Sequence, residues 1–303
     1  MGVHVPVMLV EAVDALAVKP GGLYVDGTLG RAGHSREIVR RGGRVLGIDR
    51  DDAALAEVSA LGVEGLKTVK GRHGDVAAIL DKEGIGDVDG ILLDLGVSSP
   101  QLDEGERGFS FRLDGPLDMR MDRSRGVTAA DLANGKSAEE LAALFRELGE
   151  EPQARRIAQA MVRARSAGAI ATTRQLADLV EKTVGRRGAH HPATRVFQAL
   201  RMAVNDEVGE LERALRDGLG RLKAGGRFAV ITFESITDRV VKRFFAAHAG
   251  REVSLQAGGS RWEGEEPRVK LVLRHAATAG EAESAANPRS RSAKLRAAER
   301  LAA

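Results

Sequence analysis

A carboxylate followed by three glycines, Asp26-Gly27-Thr28-Leu29-Gly30-Arg31-Ala32-Gly33-His34-Ser35, stands between the apolar run Leu23-Tyr24-Val25 and a helical segment containing Glu37 to Arg41. Glycine tolerates positive φ and leaves the backbone bare, so a ligand can lie against such a turn and the helix N-terminus behind it. A second apolar run, Val45 to Ile48, ends in Asp49, sixteen positions after Gly33, where an acid can meet both hydroxyls of a ribose. The glycine spacing is not that of a dinucleotide fingerprint. Gly27, Gly30 and Gly33 are spaced Gly-x-x-Gly-x-x-Gly behind Asp26, whose charge repels a pyrophosphate and suits a cation. S-adenosylmethionine, with its ammonium and sulfonium, meets that requirement. The competing reading is an ordinary strand-turn-helix in which Gly30 and Gly33 only allow close packing.

A third carboxylate, Asp94, ends the apolar run Gly90 to Leu93 and leads into Leu95-Gly96-Val97-Ser98-Ser99-Pro100-Gln101. In a nucleotide-binding α/β domain this loop faces the reactive end of the ligand. Asp94 can hold a cofactor amine, while Ser98, Ser99 and Gln101 offer neutral donors and acceptors for a base. The Asn/Asp/Ser-Pro-Pro-aromatic motif usual in enzymes that methylate exocyclic amines is missing, so these residues alone stop at a cofactor-bound transferase. Ser98-Ser99-Pro100 equally suits a helix-capping turn. Arg107 to Phe111 and Gly115 to Asp122 are dense in glycine, charge and large apolar groups without a regular period. They suit a binding lid or a loop tied by Asp118-Arg120-Asp122 ion pairs.

Strands that alternate with helical segments must position these groups. Leu23 to Val25, Arg44 to Ile48, Leu66 to Val69 and Val88 to Leu93 form such a series, the pattern of an α/β fold with a mainly parallel sheet and ligands at the strands' carboxyl ends. From about Thr128 to Asn205 the periodic segments are helical, with Leu141, Leu144 and Leu148 at spacings of three and four. Sheet-forming sequence returns at Gly225 to Phe233 and Val269 to Leu273. The expected organisation is a discontinuous α/β domain, 1–107 and 203–303, interrupted by a helical domain over 108–202. Ala276 to Ala286 has the composition of a linker, followed by a basic tail.

The 303 residues, 43% of them apolar, can bury a full core, and no apolar run approaches the roughly 18 residues of a membrane span. Glu11 and Asp14 stand where a signal peptide would be apolar, which argues for a cytoplasmic protein. Absence of cysteine excludes disulfides, thiolate zinc sites and methyl transfer through a cysteine adduct. Charge is uneven: Glu151 to Arg201 carries ten Lys and Arg against three acids, and Asn287 to Ala303 five against one. Such asymmetry suits phosphate contact, and Phe109, Phe111 and Trp262 are among the few rings available for base stacking.

Taken together, these segments resemble the bacterial S-adenosylmethionine-dependent 16S ribosomal RNA cytosine-N4 methyltransferases, the small-subunit methyltransferase H family. The resemblance runs through His4 to Leu9, Asp26 to Ser35, Ile48 to Asp51, Asp94 to Leu102, Arg107 to Phe111 and Gly115 to Asp122. It continues through Gly149 to Glu151, His191 to Arg195, Phe197 to Arg201 and Asn287 to Ala293. It implies a Rossmann-like class I methyltransferase core with an inserted all-helical substrate-recognition domain, no metal, and a cytidine of the decoding region within the small ribosomal subunit as substrate. A homodimer is compatible with the sequence. The implied cofactor contacts are Asp26, Gly30, Ala32, Gly33, His34, Asp49, His73, Asp94 and Gln101. Asp94, Ser98, Ser99 and Asp118 are candidates around the reacting amine, and Arg120, Arg195, Arg201, Arg289 and Arg291 for RNA.

Departures from the family pattern are Ala32 in place of glycine, His73 in place of an aromatic, Glu234 in place of histidine and Thr237 in place of an acid. A nicotinamide-dependent oxidoreductase competes through Asp49, and an inactive RNA-binding scaffold through the changes at Glu234 and Thr237.

Overall fold

A computed structural model describes residues 6–186, 191–254, 260–263 and 266–302, with backbone alone for 251–254 and 260–263. His4, Val5 and the side chain of Trp262 lie outside the described residues. The chain divides into two units, one of Met1–Gly96 with Val208–Ala303 and one of Val97–Glu207.

The first unit is built on β1 (Leu23–Asp26), β2 (Arg44–Asp49), β3 (Leu66–Lys70), β4 (Val88–Asp94) and β5 (Leu222–Thr232), all mutually parallel where paired. A backbone hairpin of β6 (Arg251–Ser254) and β7 (Ser260–Glu263) stands apart from this sheet. The strands β8 (Val269–Leu271), β9 (Ala277–Thr278) and β10 (Lys294–Arg300) complete it in the order β3-β2-β1-β4-β5-β10-β8, with β9 also on β10. The order reverses between β1 and β4, which is where open α/β sheets bind ligands.

Side chains alternate across each strand, and that alternation builds two separate cores. Val25, Ile48, Ile91, Leu93, Phe228 and Val230 face one side, covered by α4 (Val76–Lys82), α11 (Glu207–Gly220) and α12 (Ser235–Ala249) in the complete numbering of the chain. Tyr24, Val45, Leu92, Ala229, Ile231, Leu295 and Ala297 face the other with α1 (Leu9–Leu16) and α2 (Gly33–Arg40). The remaining helix of this half, α3 (Asp52–Ala60), follows β2. Burial on both faces explains why Gly90 to Leu93 within β4 reads as an unbroken apolar run.

The expected basic tail is instead a strand. Lys294–Arg300 runs antiparallel to β5 on one side and to β8 on the other. Its few aliphatic residues, Leu295, Ala297 and Ala298, are buried while its charges point outward. Arg296 forks onto Asp238 at 2.7 and 3.2 Å, and Lys294 reaches the same carboxylate at 3.3 Å. The presumed linker likewise contains β9 and a short helix, α13 (Glu281–Ala286).

The second unit holds α5 (Ser99–Asp103), α6 (Ala129–Gly135), α7 (Ala138–Gly149), α8 (Ala154–Arg165), α9 (Thr173–Val184) and α10 (Thr194–Val204). Thr128 with Asp131, Ser137 with Glu140 and Thr172 with Gln175 form capping boxes that satisfy the first N–H groups of three of these helices. Its core joins Phe145, Ile157, Met161, Leu176 and Leu200 to Phe109, Leu117, Met119 and Met121. The aperiodic segment expected as a lid is therefore a core element of this unit. Asn205 pins it, donating to the Met119 carbonyl at 2.8 Å and accepting from the Met121 N–H at 2.9 Å. The boundaries fall at 96/97 and 207/208 rather than at 107/108 and 202/203, since Val97, Leu102 and Val204 pack on this core.

Leu295 distinguishes a strand from a tail. Leu295→Ala should cost about 2–5 kcal/mol in urea unfolding, the range for a truncated core leucine; a change below about 0.5 kcal/mol would return the segment to an unanchored terminus.

Candidate active site

The carboxyl ends of β1, β2 and β4 carry Asp26, Asp49 and Asp94, and each acid has a different environment. Asp26 is 1% exposed. Its oxygens accept from Ser35 Oγ at 2.6 Å and from the Thr28 N–H at 3.1 Å. Burial raises its pKa, against the hydrogen bonds from Ser35 and Thr28. This acid, expected to face a cationic ligand, is committed to tying the glycine turn to α2.

Asp49 accepts from the Gly30 N–H at 2.8 Å and from the Asp51 N–H at 2.9 Å. Burial is again the main influence and raises its pKa. The two bonds hold the glycine turn against the end of β2, and a carboxylate has lone pairs beyond the two they use.

Asp94 is the acid left open. Its backbone N–H donates to Thr28 Oγ1 at 2.6 Å, while Oδ1 is buried without a hydrogen-bond partner among the described residues. Burial pushes its pKa up to about 6, with the nearby His34 ring opposing and the Asp26 charge adding to the rise. His34 Nδ1 lies 3.8 Å from Asp94 Oδ2. The other ring nitrogen, Nε2, is 3.1 Å from the Val7 carbonyl, which can only accept, so Nε2 carries a proton.

The glycines divide their work. Gly30 has φ +49°, and the position its Cβ would take has no neighbour closer than 3.9 Å, so the turn is both left-handed and open there. A side chain at Gly33 would run into Pro6, so this glycine serves packing. Ala32 also sits at φ 58°, as N-cap of α2. That left-handed position accounts for the glycine expected there and costs an alanine on the order of 1 kcal/mol.

His73 is buried after β3, its Nδ1 3.7 Å from Glu210 Oε2 and its Nε2 without a partner among the described residues. Burial, with Arg50, Arg213 and Arg72 nearby, brings its pKa down to about 3, so the ring is neutral. Glu210, fully buried, also receives Arg50 at 2.7 Å and Arg72 at 3.0 Å. Glu210 was not among the expected site residues: it lies far along the chain from Arg50 and in no motif. Thr28, inside the glycine turn, was within reach of sequence reasoning.

In the second unit, Ser98 and Gln101 form a capping box at the start of α5, the Ser98 N–H donating to Gln101 Oε1 at 3.0 Å. Both residues thus serve the capping turn, and Ser99 begins the helix. Asp118 is forked by Arg120 at 2.7 and 3.0 Å. Despite the opposing effect of burial, Arg120 holds the Asp118 carboxyl below its ordinary pKa. Asp122 pairs with Arg125 at 2.9 Å. Arg201 is buried against Glu207 at 2.8 and 2.9 Å, so it braces the unit internally. Arg195 is exposed and donates to the Glu150 carbonyl. Back in the first unit, Arg289 and Arg291 are exposed. Among the described residues there is no group of three or more side chains suited to a metal and no helix long and apolar enough to cross a membrane.

A family model described as the MraW methylase family matches residues 1–301. A ribosomal RNA small subunit methyltransferase H of Azoarcus sp. (strain BH72) is 51% identical, covering 98% of this chain and 96% of its own. Proteins of the same name from Trichlorobacter lovleyi and Methylobacterium sp. (strain 4-46) are each 50% identical over 98% of this chain, covering 98% and 90% of their own lengths. With both the turn-bearing sheet and the helical unit inside these matches, the chain belongs to the MraW methylase family.

Proposed function

We propose that the protein transfers a methyl group from S-adenosylmethionine to the exocyclic N4 of a cytidine in 16S ribosomal RNA. The supporting observation is end-to-end family membership combined with a buried, unpartnered carboxylate oxygen where the strand order reverses. Neither the nicotinamide reading nor the inactive scaffold draws support from the relatives. The substrate cytidine belongs to the decoding region and is met within the small ribosomal subunit, in the cytoplasm.

The residues present suit the cofactor. The bare turn at Gly30 leaves room that a side chain would fill, and Asp94 offers a carboxylate to an ammonium. When bound, S-adenosylmethionine supplies a methyl group made electrophilic by its sulfonium. Asp49 would hold the ribose hydroxyls with the lone pairs that Gly30 and Asp51 do not occupy. Gly33 and His34, at the N-terminus of α2, would present N–H groups to the amino-acid part, and Ala32, whose own N–H closes the turn onto the Leu29 carbonyl at 2.7 Å, would hold them there. His73 would lie beside the adenine, and Gln101 would contact the cofactor from the capping turn. Asp26 supports this shell from beneath.

The N4 amine of cytosine is conjugated with its ring and nucleophilic only when aligned and relieved of a proton. Among the candidates around it, Asp94 is the carboxylate with an oxygen left unpartnered among the described residues, so it can accept from the amine as charge develops there. Asp118, held ionised by Arg120, is the weaker acceptor. Ser98 and Ser99 act through the start of α5 that they build. The helical unit contributes substrate recognition, with exposed Arg195 there and Arg289 and Arg291 in the tail segment meeting RNA phosphates. Arg120 and Arg201 contribute by holding that unit's structure.

Asp49→Ala should weaken S-adenosylmethionine binding at least tenfold in calorimetry while leaving the circular dichroism spectrum in place. Equal affinity would remove Asp49 from the site.

Asp94→Asn tests the open carboxylate twice. Since the folded-state pKa is raised, ionisation of Asp94 disfavours the fold, and stability is lost as pH rises from about 4 through about 6. The unliganded variant should therefore be more stable than the parent at pH 7.5, by about 1–3 kcal/mol, and no more stable at pH 3.5, while cofactor binding is lost. Destabilisation at pH 7.5 would show that Asp94 is already paired in the free protein.

A further inference from the structure

One cavity is left without a role by the cofactor shell. It lies where β5 turns into α12, encloses about 230 Å³, and is lined by Phe233, Glu234, Ser235, Thr278, Arg291 and Lys294 among others. Pockets for drug-sized ligands begin near 300 Å³, so this one can take the base of a single nucleotide, with its phosphate at the opening, rather than a whole cofactor. The Phe233 ring is packed against the sheet core on one side. It also lies about 3.4 Å from where a Cβ on Gly96 would stand, so the cavity borders the loop that leaves Asp94.

The lining combines three chemistries that recur in recognition of unpaired RNA: a ring for stacking, a carboxylate for a base's amino group, and cations for a phosphate. Two cations, Arg291 and Lys294, and one carboxylate, Glu234, line it. The neighbouring acid Asp238 is forked by Arg296 and also meets Lys294 at 3.3 Å, so Lys294, whose ammonium has three donors, would share them between Asp238 and a phosphate. Arg291 is exposed, its Nε–H directed to the Ser284 carbonyl at 3.3 Å. Lys294 is 43% exposed along its side chain.

We infer that this cavity holds one unstacked nucleotide of the RNA substrate, with its ring on Phe233, its amino edge toward Glu234 and its phosphate between Arg291 and Lys294, an assignment that rests on the methyltransferase function proposed above. A carboxylate only accepts hydrogen bonds, so Glu234 meeting a base at its exocyclic position favours an amine there over the O4 of uracil, which is also an acceptor. Glu234 thus becomes a specificity element of this chain.

The test uses the full-length protein and small ribosomal subunits lacking the modification. Arg291→Ala breaks only a contact to a backbone carbonyl among those described. It should lower subunit affinity several-fold at about 0.1 M salt and flatten the plot of log affinity against log salt by about 1. Phe233→Leu keeps an apolar contact with the sheet and should raise KM for subunits roughly tenfold. Glu234→Gln should raise KM as well. In all three variants the calorimetric affinity for S-adenosylmethionine should equal that of the parent. If the parent methylates subunits while Arg291→Ala leaves the salt slope unchanged and the other two leave KM unchanged, the subsite is wrong and the methyltransferase function stands. If the parent itself transfers no methyl group to cytidine, that function and the subsite fall together.

Discussion

The pairing of β1 with β4 is the constraint on which the candidate site depends. These strands stand where the sheet order reverses, with β2 and β3 continuing to one side and β5 to the other. Their ends are stitched by two bonds, from the Gly27 N–H to the Leu92 carbonyl at 2.9 Å and from the Asp94 N–H to Thr28 Oγ1 at 2.6 Å. A one-residue slip would turn every side chain of a strand to the opposite face. Val25 and Tyr24 would exchange cores, and Asp94 would leave the position that makes it useful.

Around this seam the three strand-end acids are a graded set. Asp26 is internal with both oxygens bonded, Asp49 is held by two backbone N–H groups, and Asp94 is part-exposed with its buried Oδ1 unsatisfied. Such an orphaned acceptor costs the free protein stability, since its ionised form is held out of water without a compensating donor. A cationic group placed against that oxygen would offset the cost, so stability forgone at an unsatisfied acceptor is available as affinity for whatever pairs with it.

The arginines show how poorly residue type alone separates recognition from architecture. Arg120 and Arg201, like Arg195, occur in segments that resemble the family, yet both fork carboxylates inside the helical unit. A guanidinium matches a carboxylate and a phosphate with the same planar geometry, so its partner is set by what the fold brings near. The same holds for Lys294 and Arg296. In the chain they form a basic run, whereas in the sheet they neutralise Asp238 beside the β5 turn.

From the order of residues alone came the α/β class, the acids at three strand ends, the glycine turn and the helical character of the middle of the chain. These are properties of local period and of spacing within a few residues, and they survive in any fold that keeps the pattern. Only the tertiary structure decided that Asp26 faces inward while Asp94 keeps an open oxygen, that the aperiodic Arg107 to Asp122 segment is core, and that the basic tail is a sheet strand. It also brought Glu210 to His73 and closed the cavity beyond Phe233. Each of these depends on contacts between residues remote in the chain, where burial and partner geometry, rather than residue type, set what a charge can do.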